Sequence, residues 1–344
     1  LGPDTPFELV WVGPWRFRKR YLEHMLYGRV LFLGDASAQH SPFGARGGNR
    51  AIQDANNLAW KLALVLEGNA RAELMQSYDL ERHAAARESV EHSSRSAIFI
   101  GPETDGQRLV RDAILDLARE HEWARALVNV GRLSVAATYA GSPLNRDGGG
   151  LAAPLAQPGA AAPDGRVSEN GQARFFVDAL QGRFTVAYFG ATGPALEGPN
   201  GVEIQTLSLL REPASSALRV LVDESGALFT RYGVAQQATY VFRPDGHVLA
   251  RCQGIDAGFA HEAIAALLDY RGGAGTSVAQ APAPSGKLSL LEIDRLYDVL
   301  AELIDRTPRE ERARALARVA VTLAERLGDY ARVLEAVQAA SGGA

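Results

Sequence analysis

The sequence predicts a multidomain chain of α/β and α+β type with a helical tail, and three observations carry that prediction. A short apolar run, Val30 to Leu33, is followed by an acidic turn, a glycine loop and a long helical repeat. Between Phe175 and Tyr270 the pattern changes to short β-branched and aromatic runs mixed with helical stretches. Beyond residue 286 apolar positions such as Leu296, Val299, Leu300, Leu303 and Ile304, and then Leu316, Val319, Ala320, Leu323 and Leu327, recur at helical spacing.

Residues 1 to 27 include Glu8-Leu-Val-Trp-Val12, which reads as a strand, and then a basic stretch, Arg16-Phe-Arg-Lys-Arg20. That stretch reads as a solvated face or a domain edge. Arg20, Tyr21 and His24 read as residues that dock one domain on another. After the run Val30 to Leu33, Gly34 needs no Cβ and Asp35 can cap a turn or hold a ligand. The loop Pro42-Phe-Gly-Ala-Arg-Gly-Gly-Asn49 places Phe43 and three glycines, Gly44, Gly47 and Gly48, where backbone can approach a ligand closely. From Ala51 the positions Ile52, Ala55, Leu58, Ala59, Leu62, Ala63 and Leu66 recur at helical spacing, so the loop opens into a helix. A helix N-terminus fed by a glycine loop collects free N–H groups and the positive end of the dipole, a place for an anion or a polarised carbonyl. His40, in the loop, reads as an exposed histidine.

The stretch from Gly28 to Ala63 resembles the second conserved block of the FAD-dependent aromatic-ring monooxygenases of the phenol- and hydroxyphenylpropionate-hydroxylase type. The matching residues are Gly34-Asp35, Pro42-Phe-Gly-Ala-Arg-Gly47 and Gln53-Asp-Ala-Asn-Asn-Leu-Ala-Trp-Lys-Leu62. The resemblance implies that Asp35 holds the ribityl and pyrophosphate part of FAD, that Pro42 lies beside the flavin ring, and that the Gly47, Gly48 and Asn49 backbone faces its N1–C2=O edge. The sequence departs from the pattern at Ala38, where most relatives carry His; here the histidine stands two positions later, at His40. No Gly-x-Gly-x-x-Gly follows a strand, although the resemblance implies one for the adenosine diphosphate half, so the chain reads as the C-terminal portion of such an enzyme.

Past Gly68, Ser77-Tyr-Asp-Leu-Glu-Arg82 resembles a further element of that family, and Tyr78 and Arg82 stand at helical i, i+4 spacing, a packing pair. Arg108 to Val130 reads as one helix stopped by Gly131. Leu144 to Gly171 is rich in Gly, Ala and Pro and reads as a linker with little structure. The segment that follows reads strand, helix, strand, helix, hairpin, helix, with Pro244-Asp-Gly-His247 as the hairpin turn. It resembles the thioredoxin-like domain appended to the phenol-hydroxylase group, but Gly190-Ala-Thr-Gly193 stands where a redox Cys-x-x-Cys belongs, so the resemblance implies a structural or dimerisation domain. Gly272 to Gly286 reads as a second linker. In the tail, Ser289 with Glu292 and Thr307 with Glu310 form capping-box patterns, and Asp329 can cap a third helix. The tail resembles a small helical family of unknown function, and its apolar stripe is expected to dock on the body or on a partner. The resulting division is 1–150 for the flavin-domain portion, 151–172 linker, 173–271 thioredoxin-like domain, 272–286 linker and 287–344 helical domain.

Composition narrows the function. With 344 residues, 47% hydrophobic and 22% charged, the chain can build two or three cored domains. A formal net charge of -4 gives no reason to expect nucleic acid. One cysteine, Cys252, excludes an intrachain disulfide and a cysteine-rich metal site, suits a reducing cytoplasm, and reads as a small buried hydrophobe. His83 and His92 lie nine residues apart and do not share a helix face, so no metal site is expected there. No apolar run reaches transmembrane length.

The resemblance implies an FAD- and NAD(P)H-dependent monooxygenase that hydroxylates a small aromatic, phenolic substrate with O2, acting as a homodimer or with a partner chain that supplies the ADP-binding half. No residue here is assigned as a catalytic acid or base. The alternative is a non-catalytic assembly or scaffold module derived from such an enzyme.

Overall fold

The computed structural model describes residues 6, 8–14, 16–128, 136–180, 182–273, 290–327 and 329–340. The chain opens with short strands, β1 (Arg20–Tyr21), β2 (Leu26–Tyr27), β3 (Val30–Leu31) and β4 (Ala38–Gln39), of which β2 pairs with β3 and β1 with β4. The predicted strand at Val30 to Leu33 is therefore two residues long. Glu8 to Val12 is not a strand: Val10 is 91% exposed, and no strand among the described residues lies beside it to accept its backbone.

Two long helices follow, α1 (Arg46–Leu66) and α2 (Leu74–Ile100), packed on each other. Helix α1 starts earlier than its apolar repeat, so Gly47, Gly48 and Asn49 form its first turn. The repeat itself is real, but its burial is inverted. Ile52, Ala55, Ala59, Ala63 and Leu66 face solvent, while Arg46, Arg50, Asp54, Asn57 and Lys61 are buried alongside Leu58 and Leu64. The reason is polar pairing across α1, α2 and the sheet, described below. Met25, Ala38, Leu58, Met75, Tyr78, Ala86 and Val90 form the small core between these helices and the short strands.

The single helix expected over Arg108 to Val130 is two. Thr104 and Gln107 form a capping box that opens α3 (Asp105–Glu120), and α4 (Glu122–Val128) follows after His121, whose backbone is extended (φ -112°, ψ 124°). The Arg125 guanidinium donates to the carbonyls of Ala118 (2.8 Å) and Arg119 (3.0 Å), which satisfies the last turn of α3 and lets the chain break there. The expected stop at Gly131 lies outside the described residues.

An eight-stranded mixed sheet holds the middle of the chain. Its strands are β5 (Arg146–Asp147), β6 (Arg166–Glu169), β7 (Gln172–Phe175), β8 (Phe184–Phe189), β9 (Ile204–Leu210), β10 (Arg219–Val222), β11 (Ala238–Phe242) and β12 (Val248–Gln253), with α5 (Ala227–Arg231) before β11 and α6 (Ala257–Leu268) after β12. The order across the sheet is β5-β12-β11-β8-β9-β10-β6-β7, with β8, β9 and β10 parallel and β11–β12 an antiparallel hairpin. Strand β8, Phe-Thr-Val-Ala-Tyr-Phe, is buried at every position, as a central strand covered on both faces must be. One face packs α6 and the end of α1, with Leu64 against Phe184, Val241 and Ile264; the other packs Phe176, Phe229 and Tyr232.

Two expectations for this region are corrected. Residues 144–171, including the 151–172 linker, are ordered: β5 and β6 join the sheet, and Ala153, Ala156 and Val167 are core. Several of the glycines serve close approach: a Cβ at Gly148 would stand 2.7 Å from the Cys252 Cβ, and one at Gly159 would overlap the Tyr139 carbonyl oxygen. No helix separates β8 from β9; residues 190–203 carry Gly190, Gly193, Pro194, Gly198 and Pro199 and form only a 3₁₀ turn, Pro199–Gly201. Cys252 is buried in β12.

The tail contains α7 (Leu290–Arg306), α8 (Arg312–Leu327) and α9 (Tyr330–Ala340). Helix α7 docks on α3: the Asp305 carboxylate accepts from the Gly106 amide (2.7 Å), and the Tyr297 hydroxyl donates to the Gln107 carbonyl (2.9 Å). The capping box expected at Thr307 does not form, because its hydroxyl donates back to the Leu303 carbonyl (2.6 Å) and α8 starts only at Arg312. Asp329 accepts from the amides of Ala331 and Arg332, as a cap of α9 should. The linker at 274–286, Ser289 and Gly328 lie outside the described residues. Among the described residues no helix is long and apolar enough to cross a membrane, and no group of three or more His, Cys, Asp or Glu stands together as metal ligands would.

Candidate flavin site

Gly34 takes φ +59°, a left-handed conformation that an L side chain adopts only at a cost, and this turns the chain out of the β2–β3 hairpin into the 3₁₀ turn Gly34–Ala36. Asp35 thereby stands exposed at the mouth of a cleft of about 960 Å³. Its lining includes Asp35, His40, Pro42, Gly47 and Gly48 together with Arg16, Phe17 and Arg18. The basic stretch expected to be a solvated face is therefore also a cleft wall. Arg20 reaches Gln39 (3.0 Å), Tyr21 stacks edge-on against His83, and His24 pairs with Asp79 (3.2 Å); these contacts stay within residues 1–150 and do not dock one domain on another.

The N-terminus of α1 is aimed at the cleft. Its N-cap, Ala45, is itself left-handed (φ 49°, ψ 39°), and no side chain caps the first turn. The amides of Gly47 and Gly48 thus keep their donor capacity, and the dipole places positive potential there. A Cβ added at Gly47 or Gly48 would meet nothing within 4 Å, so the two glycines leave a cradle open along the helix end. Arg46, at the same end, adds a cation against the cleft. Of the eight residues expected to hold cofactor, Asp35, Pro42, Gly47 and Gly48 line the cleft. Gly34 lies behind it as the turn, while Phe43 and Gly44 belong to the loop and are absent from the lining. The Asn49 side-chain amide bends back to donate to the Ala45 carbonyl (2.8 Å), so Asn49 offers only its backbone.

His40 is not an exposed loop histidine. Both ring nitrogens are inaccessible to solvent and have no hydrogen-bond partner. Burial, with the Arg50 guanidinium nearby, pushes the imidazole down to about 4, so at neutral pH it is an uncharged ring behind the cleft lining. A buried polar atom without a partner costs about 1–3 kcal/mol.

Behind the cleft lies a cluster of charges that the sequence patterns did not single out. The Asp54 carboxylate accepts from the Gly34 amide (3.0 Å), from Arg50 and from the Arg82 Nε (2.7 Å), and the Arg50 guanidinium also holds the carbonyls of Gly34 (2.6 Å) and Ala38 (3.0 Å). All three side chains are buried. One residue before Arg82, Glu81 receives Lys61 (2.8 Å), Asn57 (2.8 Å) and both ends of the Arg243 guanidinium (2.7 and 3.0 Å). Burial alone would raise the Glu81 carboxyl, but the Arg243 and Lys61 cations hold it far below the usual range. Lys61, buried and sharing that carboxylate with Arg243, is lowered to about 8. The available signal was the i, i+4 pair Arg50–Asp54 inside the matched block; the partners on α2 and β11 are too distant in sequence to read.

Residues 2–93 match the FAD binding domain family. The chain is 31% identical over 303 residues to the 6-methylpretetramide 4-monooxygenase of Streptomyces rimosus, which covers 83% of this chain and 53% of that protein. It is 29% identical over 283 residues to the 4-methyl-5-nitrocatechol 5-monooxygenase of a Burkholderia species, covering 78% of this chain and 47% of that protein. Among solved structures, the flavin-dependent monooxygenase PieE in complex with FAD and substrate superposes with a TM-score of 0.57 at 24% identity, over 74% of this chain and 50% of that one. The chain therefore spans about half the length of these relatives. Residues 2–93 thus match the FAD binding domain family, and over most of its length the chain is similar in sequence to these two monooxygenases and in fold to a flavin-dependent one.

Proposed function

We propose that the cleft holds FAD and that the protein hydroxylates a small phenolic substrate using NAD(P)H and O2. The observation that carries this reading is the uncapped N-terminus of α1, with its glycine cradle, lining one cleft together with Asp35. Asp35 would accept hydrogen bonds from ribityl hydroxyls, and Pro42 would bear on the ring. The Gly47, Gly48 and Asn49 amides, at the positive end of the helix, would favour charge at the N1–C2=O edge. When bound, the flavin supplies dioxygen activation and oxygen transfer to an aromatic ring; the residues here bind it, orient it and keep water from its edge. Catalysis needs an ADP-binding half as well, from another segment or a partner chain, and two exposed apolar surfaces would receive it: Leu9 to Val12 and the Ile52–Leu66 face of α1.

The test is the visible absorbance of the purified protein after incubation with FAD and desalting. Flavin kept by the parent and lost by Asp35→Ala supports the reading. Flavin kept equally by both removes Asp35 from it, and flavin kept by neither leaves an assembly module, the reading favoured by the exposed Val321, Leu323 and Tyr330 of α8 and α9.

A further inference from the structure

The Gly34–Asp35 turn is not held by its own neighbourhood alone. Its amide at Gly34 donates to Asp54, and the other Asp54 oxygen accepts from the Arg82 Nε at 2.7 Å. The far end of that guanidinium donates to the Tyr139 hydroxyl at 2.8 Å. The Tyr139 ring stacks on His247, with centroids 4.6 Å apart, and the Arg243 guanidinium lies 5.3 Å from the same ring. Arg243 and His247 bracket the β11–β12 turn, so a row of buried groups runs from the flavin turn to the hairpin of the large sheet. Arg82, Tyr139 and Arg243 are each at most 2% exposed, so the row is shielded from water, where hydrogen bonds and ion pairs are strongest.

We infer that Arg82 and Tyr139 are positioning residues through which the β11–β12 hairpin fixes the Gly34–Asp35 turn, so that the appended sheet sets how well the flavin cleft is ordered. This rests on the flavin reading for its functional meaning, but not for its geometry. Arg50 holds one Asp54 oxygen and the Gly34 carbonyl. Arg82 holds the other Asp54 oxygen and so sets the carboxylate plane, and Tyr139 fixes Arg82. The sheet is then a part of the cofactor site at one remove.

The test is amide hydrogen exchange over residues 34–38 in the full chain without flavin. Tyr139→Phe keeps the stacked ring and removes the acceptor of the Arg82 guanidinium. Tyr240→Phe is the control: it removes an equally buried hydroxyl, which donates to the Tyr232 carbonyl at 2.6 Å, but lies off the row. Exchange at Gly34 is expected to rise roughly tenfold in Tyr139→Phe, the factor for one charge-assisted hydrogen bond, and to stay unchanged in Tyr240→Phe. No rise in Tyr139→Phe, or the same rise in both variants, overturns the inference. Flavin titration of the same samples separates the two readings. If the parent binds FAD, Tyr139→Phe should weaken it by a similar factor, and undiminished affinity overturns the positioning role. If the parent binds none, the flavin reading fails and exchange alone decides whether the hairpin holds the turn.

Discussion

Two aspartates nineteen residues apart should respond to the same substitution in opposite ways. Asp54→Asn keeps shape and removes charge. The buried Arg50 and Arg82 then lose the carboxylate they share, and the new amide nitrogen must face either a guanidinium or the Gly34 N–H. Removing one partner from a buried ion pair costs about 3–5 kcal/mol, because the other charge stays behind unpaired. For a chain of this size about 2 °C of melting temperature is lost per kcal/mol, so a drop of roughly 6–10 °C is expected. Asp35→Asn removes a carboxylate that is exposed in the cleft, so its effect on stability should stay within about 0.5 kcal/mol. The assay is thermal unfolding by circular dichroism with flavin retention measured on the same preparations. Asp35→Asn should lose flavin with its melting temperature intact. A melting temperature for Asp54→Asn within 2 °C of the parent would refute the account of the buried cluster, and equal destabilisation by both substitutions would refute the division between them.

Three further outcomes follow from the same site. Gly48→Ala, at a helical position with open space for a Cβ, should stabilise α1 by about 0.5–1 kcal/mol in denaturant melts while reducing flavin retention, because the methyl group enters the cradle. His40, lowered to about 4 from 6.5, takes up its proton in the unfolded chain first; its contribution to stability is complete above about pH 6.5 and is lost as pH falls toward 4. The melting-temperature gap between parent and His40→Gln should shift by that amount across the window, and a gap independent of pH would contradict the buried, neutral ring. Lys61, lowered to about 8 from 10.5, gives the same sign in a higher window: the unfolded chain keeps its proton longer, so stability from this group rises between pH 8 and 10.5, and Lys61→Met should abolish that rise in urea titrations.

The cleft was legible because its parts are local. Gly34, Asp35 and the glycine loop announce themselves within fifteen residues. The helix repeat was legible too, but not which side of it is buried. Apolar periodicity predicts the inward face only when the partner surface is apolar, and α1 instead meets Glu81, Arg82 and Arg243. Nothing near Asp54 in sequence reveals Arg82, and nothing near Glu81 reveals Arg243, 162 residues away. The glycine- and proline-rich stretch before β6 misled for a related reason. Small residues mark flexible linkers and tight packing alike, and only the neighbours that Gly148 and Gly159 touch tell the two apart.

The inverted helix bears on why the charge cluster is there at all. An apolar seam between α1, α2 and the sheet would bury as much surface without the desolvation that Glu81, Lys61, Arg243 and Asp54 incur, and exchange of a buried ion pair for hydrophobes is often neutral or stabilising. An apolar seam, however, tolerates sliding by a turn of helix, while a carboxylate receiving three donors does so in one register only. Register matters here because Gly47 and Gly48 must point into the same cleft as Asp35, and one turn of α1 would carry them about 5.4 Å away. Asp245, buried and paired with Arg243, belongs to the same cluster. If that is what the cluster does, replacing Lys61, Glu81, Arg243 and Asp245 together by Met, Leu, Met and Asn, which leaves no buried carboxylate unpaired there, should give a folded protein of undiminished stability in which flavin retention is lost. A quadruple variant that melts no lower than the parent and still holds flavin would show that register is set elsewhere.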